Sequence, residues 1–402
     1  MSQSFLVMLA PFGLRPKATL SRRALPLATE LARRGWRVHI LAPADLWPAD
    51  AGLTTVIDGV TVEHGPLPRT SGPLALAEST AWMTRRVLAL RPDLIHLFKP
   101  KGYGGMAALA LRRLRPALPL AVDTDDWEGR GGWNERLPYG RPIKALINWQ
   151  ERALPRQSQA VTVASRTLAR QVAGFGVAAE RIAYLPNGVH VPGRPLPPRS
   201  IARATLGLGD SPTVLLYTRF WEFRLPQVVA ALVGLSAQRP DARLLVIGAG
   251  ENGEHVQLNA LARRAGVSRN LDNRGWADER LIAAALAGSD VAIYPMDDTL
   301  INRAKCSAKL TEQMQAALPL VAAQVGQVAE YMEDGRSGLL VAPGDGGALA
   351  RGVIALLDRP EKARALGQAA QERIERHFNW PLLVDALEPV YGALLKSSSF
   401  GP

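Results

Sequence analysis

The stretch Asn302-Arg303-Ala304-Lys305-Cys306-Ser307-Ala308-Lys309-Leu310-Thr311-Glu312-Gln313-Met314 sets three cations and one carboxylate where a loop is expected to run into an apolar helix. Cations at a helix start suit phosphate, because the open N–H groups and the dipole there also favour anions. Glu312, one turn further in, suits the vicinal hydroxyls of a sugar. Lys305, Lys309 and Glu312 together fit a nucleoside diphosphate. The plainer reading is that Lys309 and Glu312 form a surface i,i+3 pair worth about 0.2–0.5 kcal/mol.

Other chemistry-bearing residues fall just after short apolar runs. In Ala10-Pro11-Phe12-Gly13-Leu14-Arg15-Pro16-Lys17-Ala18-Thr19, Gly13 supplies conformational freedom, and Thr19 or Ser21 can cap the next helix. Lys17 and Arg22 could face an anion there. No second glycine follows, so this is not a dinucleotide fingerprint, and an ordinary turn explains it equally. Asp123-Thr124-Asp125-Asp126-Trp127-Glu128 brings four carboxylates together. Asp125 and Asp126 fit sugar hydroxyls or general-base work best. A loop whose acids bind backbone N–H groups ranks second, and a metal site last. Arg219 and Arg224 in Tyr217-Thr218-Arg219-Phe220-Trp221-Glu222-Phe223-Arg224 can grip phosphate in the bidentate manner of guanidinium. Pairing with Glu222 is the surface alternative. Gly248 and Gly250 form a Gly-x-Gly turn that admits a phosphate or a neighbouring backbone. His96 and His190 read as structural.

Elements must hold these residues in place. In the first half, apolar runs at 5–9, 38–41, 94–97, 120–123, 160–164 and 182–185 alternate with helical patterns at 20–34, 74–90, 105–115 and 143–154. In the second half, strands are expected at 213–217, 243–247, 291–294, 320–322 and 338–341. Helices are expected at 226–237, 254–265, 278–287 and 308–317, then at 346–357, 360–377 and 381–396. Continuous apolar strands alternating with helices mean parallel sheets covered on both faces. The fold class is α/β, with two doubly wound Rossmann-like domains facing a central cleft, since such sheets bind ligands at the carboxyl ends of their strands. Val191-Pro192-Gly193-Arg194-Pro195-Leu196-Pro197-Pro198-Arg199 forbids a helix and favours an extended linker. The expected domains are therefore 1–192 with 380–402 crossing back, a linker at 193–210, and 211–379.

The 402 residues suffice for two full cores, and 47% hydrophobic with 21% charged residues is normal for a globular protein. A single cysteine, Cys306, excludes a disulfide framework and fits a reducing cytoplasm. No apolar run long enough for a transmembrane helix is present, and the start reads as a buried strand rather than a signal peptide. The net charge of +12 is carried by scattered arginines. Scattered solvated charge is the first reading and an anionic membrane surface the second, which would place the protein peripherally at the inner membrane face. No nucleic-acid motif accompanies the charge.

In this order, the pieces resemble a GT-B glycosyltransferase of the large retaining family four (group 1), over essentially the whole chain. Arg219 and Arg224 stand where that family's Gly-Arg-Leu…Lys-Gly segment places its diphosphate-binding residues. Gly248 and Gly250 match its Gly-x-Gly, and Gly275-Trp276 its base-contacting turn. Glu312, followed by Gln313-Met314-Gln315-Ala316-Ala317-Leu318-Pro319-Leu320-Val321, matches Glu-Ala-Met-Ala-x-Gly-x-Pro-Val-Val, whose Glu binds ribose. Leu185-Pro186-Asn187-Gly188-Val189 matches the Pro-Asn-Gly-Val that closes the first domain. The chain departs at three places. Ala304 stands where the first Glu of Glu-x7-Glu is expected, Asp125 where the His of His-Asp-x-Trp is expected, and Arg224 replaces Lys.

The resemblance implies sugar transfer from a nucleoside diphosphate sugar to an unidentified glycan, lipid or small-molecule acceptor, with no metal and no separate cofactor, and with retention of configuration. A nucleotide-sugar epimerase and an inactive GT-B scaffold are the alternatives. A nucleic-acid binder ranks below them.

Overall fold

A computed structural model describes residues 3–15 and 19–399. Lys17, read above as facing an anion, lies outside the described residues. The chain divides into two compact units. The first comprises the described residues of Met1–Gly188, Ala304–Cys306 and Trp380–Pro402, and the second Val189–Arg303 and Ser307–Asn379.

The first unit holds eight strands: β1 (Phe5–Leu9), β2 (Arg37–Ala42), β3 (Thr54–Ile57), β4 (Val60–His64), β5 (Leu94–Phe98), β6 (Leu120–Thr124), β7 (Ala160–Val163) and β8 (Ile182–Tyr184). Their order is β3-β4-β2-β1-β5-β6-β7-β8, parallel throughout except β3 on β4. β1 and β5 lie side by side although an excursion through β2–β4 separates them in sequence. This is the strand-order reversal at which doubly wound sheets open a crevice. One face buries Leu6, Met8, Ile40 and Val62 against Leu27 and against Trp380, Val384 and Tyr391 of the helix Trp380–Ser399. The other buries Val7, Leu9, Leu97 and Val122 against Leu111 and Leu154. Both faces of the central strands are covered, so β1, β5, β6 and β7 are buried along their whole length.

The second unit holds β9 (Thr213–Tyr217), β10 (Arg243–Ile247), β11 (Leu271–Asn273), β12 (Val291–Tyr294), β13 (Leu320–Ala323) and β14 (Leu339–Val341). The order β11-β10-β9-β12-β13-β14 is parallel throughout and places the reversal between β9 and β12. Val214, Leu216, Leu244 and Ile293 pack under Leu232 and Val353.

Several local expectations are corrected. The hairpin β3–β4 turns on Asp58-Gly59, both at positive φ, and was not anticipated. The proline-rich stretch is irregular to 198, but a helix fills Arg199–Leu206, within the segment expected to be linker. Proline tolerates the position just ahead of a helix, where no N–H is needed. The first helix begins with a π-helical turn, Leu20–Ala24, which Thr19 precedes without a side-chain cap bond and inside which Ser21 lies.

Candidate functional site

In the second unit the candidate residues gather at the carboxyl ends of β9–β12. Arg219 lies one residue beyond the end of β9, and its guanidinium reaches Glu251 at 3.3 Å with both side chains about half exposed. Arg224 meets Asp297 at 3.2 Å with 82% of its side chain exposed. Ion pairs this exposed contribute roughly 0–1 kcal/mol, so either guanidinium can exchange its carboxylate for a stronger anion. Glu222, the alternative partner, is buried, its carboxylate 3.4 Å from the Thr218 hydroxyl and its carbonyl accepting from the Asn302 amide at 2.6 Å.

The backbone here is under strain. Phe220, a bulky aromatic, sits at φ +64 beside Arg219, a conformation non-glycine residues rarely adopt. Thr218 Oγ accepts its N–H at 2.8 Å, which fixes the turn. Gly248 sits at φ +125, and a Cβ there would lie 1.8 Å from the Thr218 carbonyl. Its N–H donates to the Gly275 carbonyl at 2.6 Å. The ends of β9, β10 and β11 are thus drawn together, and only glycine fits at 248. Gly250 is constrained more softly, since a Cβ would meet the movable carboxylate of Glu254. Trp276, 77% exposed, follows Gly275 at φ +64.

The opening stretch is not one loop. Asn302 and Arg303 belong to the helix Leu300–Ala304, and Lys309 and Glu312 to the helix Ala308–Gln315. Asn302 is structural: its amide donates to the carbonyls of Glu222 and Asp297. Arg303 is paired with Asp298 on the surface at 2.7 Å. Lys309 places its Nζ 3.7 Å from the centre of the buried Tyr217 ring, a cation–π contact. Leu310 and Met314 are buried and Glu312 is half-buried beside them. Ala317, just past the helix, is left-handed at φ +52.

Ala304–Cys306 belongs to the first unit, and so Lys305 does too. Ala304 is wholly buried among Val163, Leu168, Val172 and Val177. Its carbonyl accepts from Ser165 Oγ at 2.8 Å. A glutamate at this position would carry its charge into an apolar setting. Asn187 holds the same tripeptide, its backbone N–H reaching Cys306 Sγ at 3.0 Å and its side-chain amide the Cys306 carbonyl at 2.8 Å.

The acidic segment closes β6 in the first unit around a residue the sequence did not flag. Lys99 follows β5 in a left-handed conformation, φ +62, and is buried. Its Nζ lies 3.0 Å from Asp125 and 2.9 Å from Glu128, and also bonds Asp126. Lys101 binds the second oxygen of Glu128 at 2.5 Å. Burial lowers the Lys99 pKa, but the three carboxylates outweigh it and hold the ammonium charged. Burial alone would raise Glu128. The two lysines instead pull it down to about 2. Burial raises Asp125 to about 6, Lys99 opposing and Asp126 and Asp123 assisting. The carboxylates are counter-charged by amines rather than grouped for a metal, and among the described residues no cluster of acids, histidines or cysteines has the arrangement of a metal site. The signal for Lys99 was in the sequence, as Phe98-Lys99-Pro100-Lys101 follows the strand expected at 94–97.

Asp123 serves differently. It is buried and gripped by Arg23, whose guanidinium also donates to Asn187 Oδ1 at 3.1 Å and the Leu185 carbonyl at 2.8 Å. The Thr162 hydroxyl donates to Asp123, and His96 Nε2 contacts that hydroxyl. His96 Nδ1 meets the hydroxyl of Tyr391 at 2.6 Å. Burial holds His96 down at about 4, so it is neutral and structural. Gly13 is not at positive φ, and a Cβ there would lie 2.8 Å from the Pro43 carbonyl, so this position is a close approach.

Comparison with known proteins adds to this geometry. Residues 19–188 match a family model described as a glycosyl transferase 4-like domain, and residues 211–359 one described as glycosyl transferases group 1. The phosphatidyl-myo-inositol mannosyltransferase of Mycobacterium leprae is 28% identical, over 98% of this chain and 97% of that protein. Among solved structures, sucrose-phosphate synthase from Thermosynechococcus elongatus superposes with a TM-score of 0.76 at 20% identity, covering 98% of this chain and all of that one (100%). Anabaena HepE in complex with UDP-glucose gives 0.73 at 18% identity, covering 97% and 99%.

Proposed function

Because the chain belongs to the group 1 glycosyltransferases, we propose that it transfers a sugar from a nucleoside diphosphate sugar, held by the second unit, to a hydroxyl of an acceptor held by the first. The observation that carries this reading is the pair of exposed guanidiniums, Arg219 and Arg224, standing on a strained turn at the strand-order reversal of the second sheet. As the bond from the anomeric carbon to the β-phosphate oxygen breaks, negative charge collects on the diphosphate. Arg219 and Arg224 stabilise that charge without a metal, and Lys309, over the Tyr217 ring at the end of β9, adds a third positive charge. The glycine at 248 lets the phosphate approach backbone N–H groups. Glu312 accepts hydrogen bonds from the ribose hydroxyls, and Trp276 flanks the base.

In the first unit, Asp126 is the more exposed of the two loop aspartates and accepts a hydrogen bond from the acceptor or sugar. Asp125, buried against Lys99, holds that loop and tunes its charge. The acceptor oxygen bonds to the anomeric carbon, and its proton leaves to the departing phosphate or to Asp126. The Mycobacterium leprae relative is a phosphatidyl-myo-inositol mannosyltransferase, which supports an inositol-bearing acceptor.

The test is a panel of UDP-, GDP- and ADP-sugars, scored for thermal stabilisation and then for product with inositol-type acceptors. A bound donor raises the unfolding midpoint by mass action. Stabilisation with product formation is the expected result. Isomerisation of the sugar with donor alone would show an epimerase instead, and binding without turnover on any acceptor would show an inactive scaffold.

A further inference from the structure

The helix Arg141–Gln157 has two faces. Ile147, Gln150, Glu151, Leu154 and Pro155 point into the first unit. Arg141, Ala145, Trp149, Arg152 and Arg156, at spacings of three and four, line the outward face. Trp149 is 50% exposed, and Ile143 and Tyr139 are exposed beside it. From 130 to 157 the chain carries the cations Arg130, Arg136, Arg141, Lys144, Arg152 and Arg156 but only two carboxylates, and one of those, Glu151, is buried. An exposed tryptophan and tyrosine among cations have the composition of a surface that settles at a bilayer interface.

A second observation links this face to the acceptor side. Glu151, on the inward side of the same helix, accepts the backbone N–H groups of Glu128 at 2.8 Å and Gly129 at 2.9 Å. The helix that displays Trp149 therefore also anchors the loop that carries Asp125 and Asp126.

We infer that the outward face of helix Arg141–Gln157 docks on an anionic lipid surface and so brings the acceptor-side loop to acceptors presented there. The cations draw the helix to the headgroups, while Trp149 and Ile143 enter the boundary with the acyl chains. The excess of positive charge on this face selects anionic lipid over zwitterionic lipid and over an apolar protein groove. The role of the loop rests on the function proposed above, but the lipid contact does not.

The test is co-sedimentation of the full chain with phosphatidylcholine vesicles and with vesicles containing phosphatidylglycerol, at low and high salt. The expected result is sedimentation only with the anionic vesicles, weakening as salt rises. The variant Trp149→Ser/Arg152→Glu/Arg156→Glu should bind them at least tenfold more weakly, while keeping the wild-type melting curve and wild-type turnover of a water-soluble acceptor. Equal binding by wild type and variant, equal binding to both vesicle types, or no sedimentation would each overturn the inference. Vesicle binding by a wild type that shows no sugar transfer would leave the docking face standing and refute the proposed function instead.

Discussion

The guanidinium of Arg23 holds the carboxylate of Asp123 through two hydrogen bonds, 2.8 Å from Nε and 2.6 Å from Nη2, with both side chains buried. The pair links the first helix to the end of β6, and through Asn187 and Leu185 to the turn beyond β8. Removing one partner strands the other charge in a dry site, at a cost of about 3–5 kcal/mol. Arg23→Met is expected to destabilise the first unit by that amount in urea denaturation. The double variant Arg23→Met/Asp123→Leu should cost less than the sum of the two single changes. Additive losses would show that the two residues act independently.

Asp125 and Glu128 share Lys99 but titrate in opposite senses. The pKa of Asp125 rises from 3.8 to about 6 on folding, so the native state binds its proton more tightly. The stability this group contributes is full below about pH 3.8 and is lost as pH rises through 6. Glu128 falls from 4.5 to about 2, so its contribution is present above 4.5 and is lost as pH falls toward 2. Asp125→Asn removes only the first dependence. The stability of the variant relative to wild type should therefore rise between about pH 4 and pH 6.5 and level off above it. A difference that stays constant across that range would contradict the raised pKa.

Ala317 occupies the left-handed position that follows the helix Ala308–Gln315. Glycine is the usual residue there, and it is the residue of the family motif at this position. A left-handed alanine costs about 1–2 kcal/mol, partly offset by the greater freedom of glycine in the unfolded chain. Ala317→Gly should stabilise the second unit by about 0.5 kcal/mol in thermal or urea denaturation. Destabilisation would mean that packing of the Ala317 methyl outweighs the strain.

The parallel sheets were readable because strands buried on both faces are short continuous apolar runs such as Phe5–Leu9 and Thr213–Tyr217. The edge hairpin was missed because Thr54–Ile57 is exposed and weakly apolar, although Asp58-Gly59 is a strong hairpin signal. Arg219, Arg224 and Gly248 were expected in the loops after strands and lie beyond β9 and β10, while Glu312 was expected in a helix and lies in Ala308–Gln315. Arg23 was not, because a buried arginine on a helix looks in sequence like a surface cation until Asp123, a hundred residues away, is brought to it. The partner of Asn302 was hidden for a similar reason, since the Glu222 carbonyl lies eighty residues away in the sequence.

The central claim is that Arg219 stands where a donor diphosphate binds. Calorimetric titration of wild type and Arg219→Ala with UDP, GDP and ADP tests it most directly. Wild type should bind one of the three. Arg219→Ala should bind it far more weakly and lose about 100–1000-fold in turnover, with an unchanged urea midpoint because its pair with Glu251 is exposed. Equal nucleotide affinity in the two proteins, or full turnover by the variant, would contradict the account.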